Sequence, residues 1–218
     1  MIKISERLKS LTKYIFFEDR IMDVGCDHAL LDIYLVQNGH PNKIYVCDVN
    51  SNALQNGIDN IERYELSNNI IPVLGYGIEK AGEFNINTLV ISGMGSRNII
   101  DILSSPNLEK IYKLVLQSNN NHYELRKFLT TRGFNIYEEE VVPDGKKTYI
   151  NIVAVRDYPV KTYTEKEYEF GPILIQNANN LEYFKELHRT QEDILFASKS
   201  DDVRVKLRYL EEIIEDLT

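Results

Sequence analysis

The chain has 218 residues, of which 27% are charged and 43% hydrophobic, and its net charge is −8 at pH 7. This length and composition are typical of one globular domain, or of one domain with a small appendage, and they exclude global disorder. No apolar run approaches the roughly 20 residues that span a bilayer. The first twenty residues mix charges with apolar residues, unlike a secretory signal. We therefore expect a cytoplasmic protein without a membrane segment.

The cysteines and histidines predict neither a disulfide framework nor a metal site. There are two cysteines, Cys26 and Cys47, and four histidines without any metal-ligand spacing. Free thiols are the expectation in a reducing compartment. The negative net charge argues mildly against polyanion binding, but local positive patches rather than total charge decide such binding.

Residues 1–19 are predicted to form a helix. Ile4, Leu8, Leu11 and Ile15 recur every three or four residues, which is the spacing of one helix face. The basic residues of this segment lie mostly off that face: Lys3, Arg7, Lys9 and Lys13. The predicted helix is therefore the densest basic segment of the chain.

Short apolar runs then alternate with amphipathic, helical patterns. The runs are 21–24, 44–49, 70–74, 88–92, 114–117, 134–142 and 149–155. The alternation predicts a parallel sheet with helices on both faces. Only a turn sequence, 143–147, separates the last two runs, so these strands should form an antiparallel hairpin. Five parallel strands and a terminal hairpin are the arrangement of the α/β, Rossmann-like class I methyltransferase fold, whereas a dinucleotide dehydrogenase normally adds a sixth parallel strand.

The last part of the chain, residues 157–218, has a different pattern. Pro159 and Gly171-Pro172 mark a connector, and helical patterns follow over 175–196 and 203–217. Two such helices predict an antiparallel, coiled-coil-like hairpin. We therefore divide the chain into a Rossmann-like methyltransferase domain, residues 1–156, and a C-terminal connector with a helical hairpin, residues 157–218.

The first candidate site motif follows the first predicted strand: Asp23-Val-Gly25-Cys-Asp27-His-Ala. A strand that ends in Asp-x-Gly before a helix lets backbone N–H groups approach a ligand closely. Asp27 stands where a dinucleotide fingerprint has its second glycine. Its carboxylate would repel a pyrophosphate but tolerate the cationic sulfonium and amino group of S-adenosylmethionine. The alternative is a plain strand-to-helix turn.

The second and third candidates follow the next two strands. Asp48 lies 23 residues after Gly25, where an acidic residue typically binds ribose hydroxyls; the alternative is a helix N-cap. Gly75-Tyr76-Gly77 follows the third strand, where Tyr76 would stack on adenine or offer its carbonyl as an acceptor. The alternative there is a turn between glycines.

The fourth and fifth candidates follow the fourth and fifth strands. Residues 92–96 are small apart from Met94, which leaves room for a flat base that Met94 can pack against. Residues 117–121 carry three consecutive asparagines, and amides both donate to and accept from base edges. The alternatives are a tight turn and a polar loop that caps the following helix.

Together these motifs resemble one known family. Asp-Val-Gly-Cys-Asp-His-Ala-Leu-Leu at 23–31 is similar to the signature D-[IV]-G-[ST]-D-H-A-Y-L-P of the bacterial tRNA (adenine-22 N1)-methyltransferases. Further similar segments occur in the same order along the whole chain: Ser5-x-Arg7-Leu8, Ser92-Gly93-Met94-Gly95, Leu116-Gln117 with Asn119, Asp144-Gly145-Lys146 and Gly171-Pro172. The chain departs from the family pattern at Cys26, Leu30, Leu31-Asp32, Tyr76, Ser96 and Ser118.

The resemblance implies methyl transfer from S-adenosylmethionine to N1 of adenine 22 in tRNA, without a metal. Adenine N1 has a free lone pair, so in-line positioning and control of charge should dominate catalysis. Asp27 would stabilise the cationic product base, and Asn119 would hold the adenine edge after the base is exposed. The cofactor contacts are expected from Arg7, Asp23, Gly25, Cys26, Asp27, His28, Asp48, Val49, Gly75, Tyr76, Gly77, Ser92, Gly93 and Met94.

Two other functions fit the residues less well. One is methylation of another RNA or a small molecule, which the basic first helix and the C-terminal hairpin argue against. The other is a non-catalytic nucleotide-binding scaffold, which the acidic residues Asp23, Asp27 and Asp48 argue against. We expect tRNA as the partner and a monomer as the oligomeric state.

Overall fold

A computed structural model describes the backbone of residues 1–218 and every side chain other than that of Ser198. Its centre is a seven-stranded sheet with the order β3-β2-β1-β4-β5-β7-β6. The strands are β1 (Ile21–Val24), β2 (Ile44–Asp48), β3 (Ile70–Leu74), β4 (Thr88–Met94), β5 (Lys113–Ser118), β6 (Phe134–Asp144) and β7 (Lys147–Arg156). The first five are parallel, and β7 pairs antiparallel with both β5 and β6. The predicted α/β sheet with its terminal hairpin is confirmed.

Eight α-helices surround the sheet: α1 (Glu6–Leu11), α2 (Leu30–Gln37), α3 (Ser51–Arg63), α4 (Ser96–Leu103), α5 (His122–Thr131), α6 (Glu165–Phe170), α7 (Leu181–Ser198) and α8 (Asp201–Asp216). Successive side chains of a strand point to opposite faces. Accordingly Val90 packs in a core with residues of α1 to α3, whereas its neighbours Leu89 and Ile91 pack in a second core with residues of α4, α5, α7 and α8.

The first helix is shorter than the predicted span of 1–19. It begins after Ser5, whose hydroxyl accepts a hydrogen bond from the Leu8 amide, and α1 ends at Leu11. A short 3-10 turn follows, and Ile15 is extended with φ −110°. The Asp19 carboxylate accepts from the Phe16 amide at 2.6 Å and from the Lys113 ammonium at 2.5 Å. These contacts outside the helix override its apolar periodicity.

The C-terminal hairpin is confirmed as α7 and α8, but α7 begins at Leu181 rather than near residue 175. The segment before α7, which was predicted to be α-helical, instead forms two short 3-10 helices, Leu174–Gln176 and Ala178–Asn180. The Asn180 side chain donates to the Leu174 carbonyl at 3.0 Å, which stabilises this compact entry. Helix α6 was not predicted from the sequence; it starts with a capping box between Thr164 and Glu167.

The connector and the hairpin pack on the same core as the sheet. Phe170, Phe184 and Leu210 belong to one apolar cluster with sheet residues such as Leu116 and Ile152. The predicted boundary after residue 156 therefore cuts through a continuous core. That the two parts of the chain have different functions stays a prediction.

A buried ion pair fastens the connector to α5 and β6. The side chains of Arg126 and Glu139 are both 0% exposed and lie 2.7 Å apart. Arg126 also donates to the carbonyls of Tyr168 and Glu169, and Glu139 accepts from the Ile173 amide.

None of the described helices is long and apolar enough to cross a membrane.

Candidate functional site

Two cavities lie beside each other at the carboxyl ends of the parallel strands. The larger, about 630 Å³, is lined in part by Asp48, Val49, Tyr76, Gly77 and residues of α4. The smaller, about 260 Å³, is lined in part by Arg7, Asp23, Cys26, Asp27, His28, Ser92 and Gly93. Gly25 and Met94 line both cavities. The structure therefore gathers thirteen of the fourteen predicted cofactor residues around one double cavity; Gly75 is not among the lining residues.

Gly25 and Met94 stand at the boundary between the two cavities. A Cβ atom at this position would lie 1.9 Å from the Met94 Cε atom, and the backbone has φ +79°. Few L residues adopt that conformation without strain. The missing side chain of Gly25 thus leaves the room that the Met94 methyl group occupies between the two cavities.

The loop after Gly25 continues in the left-handed region. Asp27 has φ 40° and Ala29 has φ 51°, both positive values that are uncommon outside glycine. The loop holds the Asp27 side chain in the open, 62% exposed, with one carboxylate oxygen 3.4 Å from the His28 Nε2 atom. Cys26 is buried, and burial raises the pKa of its thiol. Cys26 is therefore a neutral thiol at the cavity wall, whereas the Asp27 carboxylate is open to solvent.

Asp48 ends β2 and faces the larger cavity. Its Oδ1 atom accepts a hydrogen bond from the Asn50 amide at 2.8 Å. The N-cap of α3 is Asn50 rather than Asp48, because the Asn50 side chain accepts from the amides of Asn52 and Ala53. The helix-cap alternative for Asp48 is therefore wrong, and its second carboxylate oxygen remains available to a ligand.

Tyr76 lies at the rim of the larger cavity with 75% of its surface exposed. Behind it, Gly77 has φ +58°, and a Cβ atom there would lie 2.9 Å from the Ile102 side chain. The Cys47 thiol donates to the Gly77 carbonyl at 3.4 Å. These contacts fix the loop while the Tyr76 ring stays free to cover a flat group in the cavity.

A network of amides joins the first helix to the ends of β4 and β5. Arg7 Nη1 and the Gly93 amide both donate to Gln117 Oε1, at 2.8 and 3.0 Å. Gln117 Nε2 donates to Asn119 Oδ1 at 3.1 Å, and Asn119 Nδ2 donates to the Gly93 carbonyl at 2.8 Å. The Arg7 guanidinium also lies over the Tyr149 ring, 5.5 Å from its centroid. These bonds hold the Asn119 amide in one orientation, next to Gly93, which lines the smaller cavity.

Gln117 belongs to the candidate motif 117–121 but was not predicted as a contact residue, although the network depends on it. Gln117 is 0% exposed in a strand whose six residues are all buried. A buried polar side chain needs hydrogen-bond partners, and a glutamine that directly follows the apolar residues 114–116 was the signal in the sequence.

A second missed residue is Asp32 of α2. Asp32 is 0% exposed and Asp23 is 6% exposed. Burial raises the pKa of Asp23 to about 7, although a hydrogen bond from Asp32 and the Arg7 charge act in the opposite direction. Burial and the Asp23 charge raise the pKa of Asp32 well above its usual range.

Among the described residues, no cluster of three His, Cys, Asp or Glu side chains could hold a metal ion.

Comparison with known proteins is consistent with this geometry. A family model described as a methyltransferase domain matches residues 4–152. A putative tRNA methyltransferase of Mycoplasma genitalium, MG248, is 33% identical over 71% of this chain and 70% of its own. The tRNA (adenine(22)-N(1))-methyltransferase of Bacillus subtilis is 25% identical over 98% of this chain and 95% of its own.

A solved structure extends the likeness to the whole fold. Mycoplasma capricolum TrmK, in complex with the cofactor product S-adenosylhomocysteine, is 26% identical to this chain, covers 99% of each and superposes with a TM-score of 0.85. With its methyltransferase domain and these relatives, the chain belongs to the bacterial tRNA (adenine-22 N1)-methyltransferase family.

Proposed function

We propose that this protein transfers a methyl group from S-adenosylmethionine to N1 of adenine 22 in tRNA, giving 1-methyladenosine. The observation that carries the proposal is the pair of cavities that share Gly25 and Met94. Asp27 lines the smaller cavity, and Asn119 is hydrogen-bonded to Gly93 in the wall of the same cavity. The volume of the pair lies in the range of small-molecule sites, and its lining offers carboxylates at both ends. Family membership supplies the reaction class.

The residues present fit the cofactor. Asp48 has a carboxylate oxygen free for ribose hydroxyls, and Val49, Tyr76 and Met94 offer apolar surface to adenine. In the smaller cavity, Asp23 would bind the ammonium group and Arg7 the carboxylate. When bound, the cofactor supplies a methyl group on a cationic sulfur. Gly25, Gly75, Gly77, Ser92 and Gly93 leave room for it, and Cys26 and His28 complete the wall.

Asn119 is suited to hold the target adenine. Its amide is oriented by Gln117 and Gly93, so one N–H and one acceptor lone pair remain for a base edge. Because adenine N1 is a nucleophile without deprotonation, the residues need to position the base rather than remove a proton. The exposed carboxylate of Asp27 would offset the positive charge that develops on the methylated ring.

The tRNA must be bound through local positive surface. Lys9 and Lys13 form ion pairs with Glu6 and Glu140, which reduces the contribution that the sequence predicts for the first helix. The exposed cations that make no ion pair with another described residue include Lys3, Arg97, Lys146 and Lys147.

The turn between β6 and β7 places two of these cations near the site. Ile150 of β7 pairs with Ser118 at the carboxyl end of β5, so Lys146 and Lys147 project beyond that edge of the sheet. On the C-terminal hairpin, Lys185 and Lys206 are paired with acidic residues. We infer that residues 157–218 contribute shape more than charge, and that the enzyme acts as a monomer in the cytoplasm.

The proposal can be tested in cells. In a strain that lacks this gene, mass spectrometry of total tRNA nucleosides should show the loss of 1-methyladenosine at position 22, and the restored gene should return it. A different missing methylated nucleoside would indicate another RNA substrate. An unchanged set of nucleosides would contradict tRNA methylation.

A further inference from the structure

The buried carboxyl group of Asp32 has no function in the site as described so far. It lies in the first turn of α2, behind the smaller cavity, and is 0% exposed. Neither of its side-chain oxygens receives a hydrogen bond from another described residue. An ionised carboxylate without a donor is costly in such a place, so this side chain is expected to be neutral.

Asp23 is the neighbour that can satisfy a neutral Asp32. The two carboxyl groups are within hydrogen-bonding reach of each other. Two buried carboxylates at that range cannot both be ionised, and one proton shared between them gives a donor and an acceptor. Asp23 lines the smaller cavity, whereas Asp32 lies deeper. The proton therefore belongs on Asp32, and the negative charge on Asp23.

The other charged and titratable groups around the pair favour the same arrangement. Arg7 of α1 attracts negative charge to Asp23, and Asp48 at the end of β2 opposes it. The thiols of Cys26 and Cys47 have raised pKa values and are neutral. Asp27 and His28 line the same cavity with exposed side chains. Arg7 is thus the cation whose charge acts on Asp23, and it acts from the cavity side.

We propose that Asp32, in its protonated form, is a positioning residue that donates a hydrogen bond to the Asp23 carboxylate and keeps Asp23 ionised for the cofactor's ammonium group. This proposal rests on the proposed function, since it needs a cofactor in the smaller cavity. Its consequence is a cofactor affinity that falls as Asp23 gains a proton at lower pH. Without the donor, Asp23 would hold its proton to a higher pH.

The test compares Asp32→Asn with Asp32→Leu. Both replacements keep the branched, four-atom shape of the aspartate side chain, although leucine is larger, and only asparagine keeps a donor for Asp23. The dissociation constant of S-adenosylhomocysteine is measured by calorimetry from pH 6 to pH 9. The ratio of each variant's constant to the parental constant cancels the titration of the ligand itself.

We expect the Asp32→Leu ratio to approach about tenfold at pH 6, for a shift of about one pKa unit, and to fall to about 1 at pH 9. The Asp32→Asn ratio should stay close to 1 throughout. A Leu ratio that is constant with pH would indicate a structural role only and would overturn the proposal. An Asn variant that follows the Leu profile would overturn it as well.

A second measurement needs only the parental protein and Asp32→Asn. Their infrared difference spectrum at pH 8 should contain the carbonyl band of a protonated carboxyl group, and its absence would show that Asp32 is ionised. This keeps the proposal testable if the leucine variant does not fold. If the parental protein binds no S-adenosylhomocysteine at any pH, the proposed function fails; binding with a flat ratio overturns the role of Asp32 alone.

Discussion

The Met94 side chain lies directly over Gly25, so close that a Cβ atom on the glycine would be 1.9 Å from the Met94 Cε atom. This contact stands at the junction of the two cavities that we assign to the two halves of the cofactor. Met94 is flexible and can move aside, whereas a side chain on Gly25 is fixed to the backbone. The junction therefore depends more on Gly25 than on Met94.

Gly25→Ala should weaken S-adenosylhomocysteine binding and also lower thermal stability, because φ at this position is +79°. Gly39→Ala is the matched control. Gly39 has φ +92°, but nothing lies within 4 Å of its Cβ position, so only backbone strain should result. Calorimetry and thermal unfolding on both variants separate the effects. Equal affinities in the two variants would contradict the placement of the cofactor.

Asp48→Ala should weaken cofactor binding by about tenfold or more, because a hydrogen bond to a charged group contributes roughly 1.5–3 kcal/mol. Asn50→Ala removes the true N-cap of α3 and should lower the free energy of unfolding by about 1 kcal/mol without a change in affinity. If instead Asp48→Ala loses stability and keeps its affinity, Asp48 has a local structural role only.

Asp27→Asn should reduce the rate of methyl transfer more than it reduces cofactor affinity. Asparagine tolerates the left-handed backbone at φ 40°, so the substitution removes charge without new strain. The charge should matter most as the adenine ring becomes cationic. Single-turnover methylation of tRNA measures this step, and a parental rate in the variant would exclude an electrostatic role for Asp27.

Arg126→Met should lower the free energy of unfolding by about 3–5 kcal/mol, because it leaves the buried charge of Glu139 without its cation. The neighbouring Lys127→Met is the control. Lys127 pairs with Glu165 at the surface, where such pairs contribute little, so its unfolding curve should stay close to the parental one. Similar losses in both variants would show that the buried pair does not fasten the connector.

The sheet could be predicted from the sequence because its strands are short apolar runs bounded by turn residues. Strands β1 and β3 begin and end at the residues that the apolar runs predict. The end of the first helix could not be predicted in this way. Asp19 binds Lys113 of a distant strand, and the helical periodicity of residues 12–19 does not reveal that pair. Helix α6 was missed because its six residues are too few for a clear period.

The same holds for the site: residues that follow a strand directly could be predicted, whereas residues whose partners are distant in the sequence could not. Gly25, Asp48 and Met94 follow strands directly, so strand ends predict their meeting at one edge of the sheet. Gln117 and Asp32 lie inside elements, where a single polar residue has many possible explanations. Their partners, Arg7 and Asp23, become visible only when the chain is folded.

The most direct test of the central claim is methyl transfer to unmodified tRNA transcripts that differ only in adenine or guanine at position 22. With the purified protein and labelled S-adenosylmethionine, we predict close to one methyl group per adenine-22 transcript, recovered as 1-methyladenosine at that position, and none on the guanine-22 transcript. Equal incorporation into both transcripts, or none into either while the cofactor binds, would contradict the account.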